Sequence, residues 1–160
     1  MIEARKQFRF LLHAVVAGMK HDEIEYLTKR IVKADPPIFE MPELINVTDD
    51  KVLGVFASAR GALNFAQLII KNAKTKNVQL SLHAGPVSLH QSGDASSVDG
   101  TAVSEIINMS HHALPGLMYS SELVAAILVL ERQDLLFHPV GRIEVGDKKD
   151  LELYTVDLLP

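Results

Sequence analysis

The chain has 160 residues, a formal net charge of −4, and 48% hydrophobic against 22% charged residues, the make-up of one globular domain spanning 1–160. It contains no cysteine, which excludes disulfides, thiol catalysis and cysteine-built zinc sites and leads us to expect a reducing, cytoplasmic setting. The acidic balance, the absence of an apolar run of bilayer length and the charged start MIEARKQFRF speak against a nucleic-acid module, membrane insertion and a signal peptide.

In chain order, QFRFLLHAVV (7–16) alternates as a strand. Phe8, Phe10, Leu12, Ala14 and Val16 share one face; Gln7, Arg9 and His13 share the other with Leu11 and Val15. Asp22 is a candidate N-cap for a helix to Lys33, which Pro36-Pro37 closes. Residues 38–47 and 51–56 read as strands of a hairpin turning at Thr48-Asp49-Asp50, with Pro42 marking an edge or a bulge. The stretch 58–74 carries one apolar stripe from Ala59 through Leu63, Ala66 and Ile70 to Ala73 and reads as a core helix.

Val78, Leu80 and Leu82 alternate with Gln79, Ser81 and His83, a half-buried strand. Gly85-Pro86 is expected to turn the chain, and the small, polar stretch 91–100 to form a mobile loop. A helix is expected over 101–112 with Val103, Ile106, Ile107 and Met109 inward, then a short strand 117–119, a helix capped by Ser120 or Ser121 running to Glu131, and strands 135–145 and 151–156 around Gly146-Asp147-Lys148-Lys149. The order β α β β α β α β α β β predicts an α+β sandwich, a mostly antiparallel sheet with helices on one face. The opposite face, carrying Arg9, His13, Gln79, Ser81 and His83, is then either solvated or an interface with another chain.

The chain resembles the class III nucleotidyl (adenylate and guanylate) cyclase homology domain. Five segments carry the likeness in order: TDDKVLGVF (48–56), SLHAGPV (81–87), DGTAVS (99–104), HHALPGLMYSSE (111–122) and GRIEVGDKKDLELYTV (141–156). The resemblance implies a ferredoxin-like cyclase fold and a homodimer or heterodimer with sites between chains. It implies Mg or Mn, two ions at a time, if cyclic nucleotide is made. Carried over residue by residue, it places His13 (Ala14 under a one-residue shift) where the first metal carboxylate belongs and Asp50 at the second. Asn46 stands at the base-reading lysine, and Ser104 and Asn108 at the transition-state asparagine and arginine. One carboxylate is a poor cage for two hard cations, and neutral Asn108 cannot replace a guanidinium. The expectation is therefore a degenerate domain without a cofactor, serving as a dimerisation or regulatory module in signalling. The alternatives are an active or partner-complemented cyclase and a nucleotide sensor without turnover.

Blander readings compete at each position. Asp49-Asp50 also fits a solvated turn, since Asp is a favoured turn residue. Asp94 and Asp99 lack calcium-loop spacing, and the seven histidines include no His-x-x-x-His helix with a carboxylate partner. His13 and His83 could be pH-sensitive interface groups or satisfied polar residues. Ser88 and Ser96 lie in no nucleophile elbow.

Overall fold

The computed structural model describes residues 6–34, 40–73, 75, 77–146 and 149–158. The elements are β1 (Lys6–Val16), α1 (His21–Val32), β2 (Leu44–Thr48), β3 (Lys51–Phe56), α2 (Ala59–Asn72), β4 (Val78–Ser92), β5 (Ala95–Asp99), α3 (Thr101–His112), β6 (Met118–Ser121), α4 (Glu122–Glu131), β7 (Leu135–Gly146) and β8 (Lys149–Leu158). The strands form one sheet in the order β2-β3-β1-β4-β6-β8-β7, with β5 added to the far end of β4. All pairs are antiparallel except β4 with β6. Expectations for Pro36-Pro37, for residues 38 and 39, for Lys74 and for the Asp147-Lys148 turn lie outside the described residues.

The α+β class and the mostly antiparallel sheet match the expectation; the placement of the helices does not. α1, α2 and α4 cover one face, where Leu12, Ala14, Val16, Leu80 and Leu82 meet Ile24, Leu63, Ile69 and Leu128 in the larger core. α3 lies on the opposite face, over a second core built from Leu11, Val55, Val87, Ala102, Ile106, Met109, Tyr119 and Leu153. The cause is visible in the strands. Leu11 and Val55 are apolar on the face read as polar, and such residues need a cover. On α3 the buried positions are Ala102, Glu105, Ile106, Met109 and Ser110. Ile107, expected inward, is 40% exposed.

Two further expectations are corrected. The chain does not turn at Gly85-Pro86; β4 runs straight through both and pairs Phe8 with Pro86. Pairing with β6 ends at Leu82, and β5 joins only from Ser88, so proline occupies a stretch where one flank of β4 is unpaired. Gly85 is there for clearance: a Cβ would stand 3.0 Å from the Ala102 Cβ at the start of α3. Residues 91–100 are not a loop. They form a hairpin of β4 and β5 around Gly93 (φ 60°) and Asp94, and Gly100 (φ 124°) is the N-cap of α3.

Local chemistry fixes the other ends. α1 starts one residue before Asp22, and the Lys20 N–H donates to Glu23. α2 starts where Ser58 accepts from the Gly61 N–H at 3.1 Å, while Glu40 accepts from the Ala57 N–H at 2.9 Å and from the Ser58 hydroxyl. α4 is apolar around most of its circumference: Val124, Ala125 and Leu128 are buried, while Leu123, Val129 and Leu130 remain exposed. No helix of the described residues is long and apolar enough to cross a membrane.

Candidate functional site

The strand register gathers the sequence-predicted residues before any side chain is considered. Asn46 pairs with Leu53, Leu53 with His13, and His13 with Ser81, so these four form one row across the α3 face. Two residues along, Lys51 pairs with Val15 and Val15 with Gln79. α3 runs across both rows. Between it and the sheet lies a cleft of about 290 Å³ whose floor is His13, Val15 and Gln79. Lys51 stands at one side, and α3 contributes Ile107, Ser110 and His111.

His13 and Ser110 are each buried and share a hydrogen bond of 2.6 Å between Nδ1 and Oγ. Burial lowers the His13 pKa to about 4, with the charges of Lys51 and His111 adding to the effect and Asp50 opposing it. His13 is therefore a neutral imidazole near pH 7. The adjoining hairpin turn is tight. Asp49 alone among the described non-glycine residues has positive φ, 54°. Aspartate tolerates this left-handed conformation better than most residues. The Asp50 carboxylate lies 3.1 Å from the Lys51 ammonium, and the Asp50 carbonyl accepts from the Val16 N–H at 2.8 Å.

A second polar group ties α3 to the sheet further along. Glu105 is buried, with Oε1 3.6 Å from His83 Nε2 and Oε2 2.8 Å from Lys149 Nζ on β8. His83 is also buried, and desolvation lowers its pKa; Glu105 pulls it back up and Lys149 pushes it down. Among the described residues, no three His, Asp or Glu side chains converge on a point that could hold a metal.

Of the residues read as an interface, His13, Ser81 and His83 are buried beneath α3 of their own chain, with His13 reached only through the cleft, so these three offer no surface to a partner. The reason is the second core described above, which draws α3 down over them. Arg9 and Gln79 stay partly exposed, with Arg9 bound to Glu43 at 2.6 Å. Ser104 is exposed and Asn108 half-buried on α3, and neither lines the cleft. Sequence reasoning missed Ser110, His111, Lys51, Glu105 and Lys149. Only Glu105 left a signal: it falls on the stripe of Ala102, Ile106 and Met109 at i, i+3, i+4 and i+7, where a charge must be buried and needs a partner.

Neither a family model nor any curated protein sequence matches the chain. Solved structures do. The guanylate cyclase domain of RhGC from Catenaria anguillulae, in complex with GTP, superposes with TM-score 0.75 at 17% identity, covering 98% of this chain and 100% of that one. The adenylyl cyclase CyaB from P. aeruginosa gives 0.73 at 13% identity, with 98% and 96% covered. The guanylyl cyclase domain of the RhoGC fusion protein from the aquatic fungus Blastocladiella emersonii, in a non-canonical dimer, gives 0.74 at 16% identity, with 97% and 99% covered. That domain has also been solved as a monomer. The fold of this chain is thus that of the class III adenylate and guanylate cyclase catalytic domain.

Proposed function

We propose that this chain is a cyclase-fold signalling module that makes no cyclic nucleotide and acts as a dimerisation or regulatory domain. The carrying observation is His13. By the family resemblance this position, or Ala14 under a one-residue shift, belongs to a metal carboxylate. Here it holds a buried, neutral imidazole whose Nδ1 is engaged by Ser110. A hard divalent cation needs anionic oxygens, and Asp50 supplies one carboxylate that already faces Lys51. Asn46, Ser104 and Asn108 complete a set without the cationic groups that phosphoryl chemistry uses.

A partner surface is supported by the non-canonical dimer of the fungal relative and by the exposed Leu123, Val129 and Leu130 of α4, since exposed apolar patches of this kind mark contact surfaces. With α3 over the sheet, Arg9 and Gln79 are the members of the expected interface still within a partner's reach.

The second reading, a cyclase completed by a partner chain, keeps one argument: Asp50 is retained in its hairpin. Assaying the purified chain with Mg or Mn and with ATP or GTP separates the two. We expect no cyclic nucleotide above the buffer blank. Product that vanishes in Asp50→Ala would overturn the proposal. Saturable ATP or GTP binding without product would instead make the chain a nucleotide sensor. Light scattering at high concentration tests the dimer, and a persistent monomer argues against it.

A further inference from the structure

The cleft between α3 and the sheet has a chemistry of its own. Its polar wall is made of hydrogen-bond donors drawn from four elements: His13 on β1, Lys51 on β3, Gln79 on β4, and Ser110 with His111 on α3. Among the described residues no carboxylate lines it; the neighbouring Asp50 is held against Lys51.

The buried pair sharpens the point. If Ser110 donates to His13 Nδ1, the imidazole keeps an Nε2–H. If Nδ1–H donates to Ser110, the hydroxyl keeps its proton. In either tautomer one donor hydrogen is left outside the pair, and both residues belong to the cleft lining. The lining also offers the Gln79 amide N–H groups, the Lys51 ammonium and the His111 ring. The donor side of the cleft, facing the apolar Val15 and Ile107, suits an oxyanion toward which the Lys51 ammonium would turn from Asp50.

The shape narrows the class. A planar carboxylate is best matched by a bidentate arginine, and among the described residues no arginine lines the cleft. Donors drawn from four separate elements suit a tetrahedral group better than a planar one. At about 290 Å³ the cleft sits at the small end of ligand pockets, which begin at roughly 300 Å³, so it suits a phosphate group rather than a whole nucleoside triphosphate.

We propose that this cleft binds a phosphate group without a divalent metal, with Lys51 as the counter-charge and the His13–Ser110 pair, Gln79 and His111 as donors. The phosphate is either free or the end of a phosphomonoester. The inference rests on the reading that Asp50 holds no catalytic metal, and the two fail differently: metal-dependent turnover refutes that reading, whereas metal-free phosphate binding is measured apart from turnover.

The test is titration calorimetry of the full chain in EDTA with two probes, inorganic phosphate and adenosine 5′-monophosphate. We expect saturable binding of at least one, with Kd below about 1 mM. Binding of inorganic phosphate assigns the free ion, and binding of the monophosphate alone assigns a phosphomonoester. Lys51→Met, on a half-exposed side chain, should weaken binding about tenfold or more. His111→Ala, also on the surface, should weaken it as well. Lys29→Met, on α1 beside a different cavity, should leave it unchanged. Absence of binding to either probe, binding only after Mg is added, or Lys51→Met and Lys29→Met behaving alike would each overturn the proposal. Circular dichroism of each variant excludes misfolding as the cause of lost binding.

Discussion

The buried pair under α3 predicts a specific acid instability. His13 has a pKa of about 4 in the folded chain against 6.5 for the unfolded side chain. The native state therefore binds fewer protons than the unfolded state between these values, and stability falls as pH falls. Above about pH 6.5 both states are neutral at this residue and it contributes no pH dependence. Over the gap of about two and a half units, at about 1.4 kcal/mol each, acidification should remove about 3 kcal/mol. The loss should be steepest between pH 6 and 4, where its slope approaches about 1.4 kcal/mol per unit. That is a large share of the 5–15 kcal/mol by which a domain of this kind is stable. Urea unfolding of wild type and His13→Asn at several pH values measures it, since the difference between the curves removes the contribution of every other titrating group. Wild type should lose about 3 kcal/mol more than the variant between pH 7 and 4. Parallel curves would show that His13 is not held neutral by burial and would remove the main support for the degenerate-site reading.

Other perturbations test the neighbouring elements. Asp49→Gly relieves a left-handed residue and should raise stability by up to about 1 kcal/mol, read from the urea midpoint; a drop would mean that the Asp49 side chain has an unrecognised role. Gly85→Val drives a branched side chain into Ala102, 3.0 Å from the Cβ it would add, and should cost about 1–3 kcal/mol with α3 losing amide protection first. Lys149→Met removes a charge that lowers the His83 pKa, and Glu105→Gln removes one that raises it. Imidazole NMR titration should therefore show His83 moving up in the first variant and down in the second; equal shifts in one direction would refute the paired arrangement.

Much of the fold was legible because local patterns agreed with the global one. The stripe on α2, the alternation in β1 and the hairpin at Asp49-Asp50 each named their element. What failed, failed for physical reasons. Glycine and proline together read as a turn, but at 85–86 they answer the close passage of α3 and an unpaired strand flank, which no local rule contains. The short, polar β5 has the composition of a loop and owes its strand to β4. The site was legible only through the family order, which singled out His13 and Asp50. It could not reveal that His13 is covered by α3 or that Ser110, 97 residues away, is its partner. Contacts of that sequence separation leave no periodic trace.

The sheet is continuous but not uniform. Parallel pairing of β4 with β6 spans only Leu80 to Leu82, and it joins an N-terminal block, β2-β3-β1-β4, to a C-terminal one, β6-β8-β7. With three residue pairs this seam is as short as the adjoining β6–β8 pairing. Glu105 reaches across it, touching His83 of the first block and Lys149 of the second. The ion cluster therefore bridges the two sides of this seam. Without it the seam would rest on those pairs and on the larger core, to which Leu80 and Leu82 on one side and Met118, Leu128 and Val156 on the other all belong.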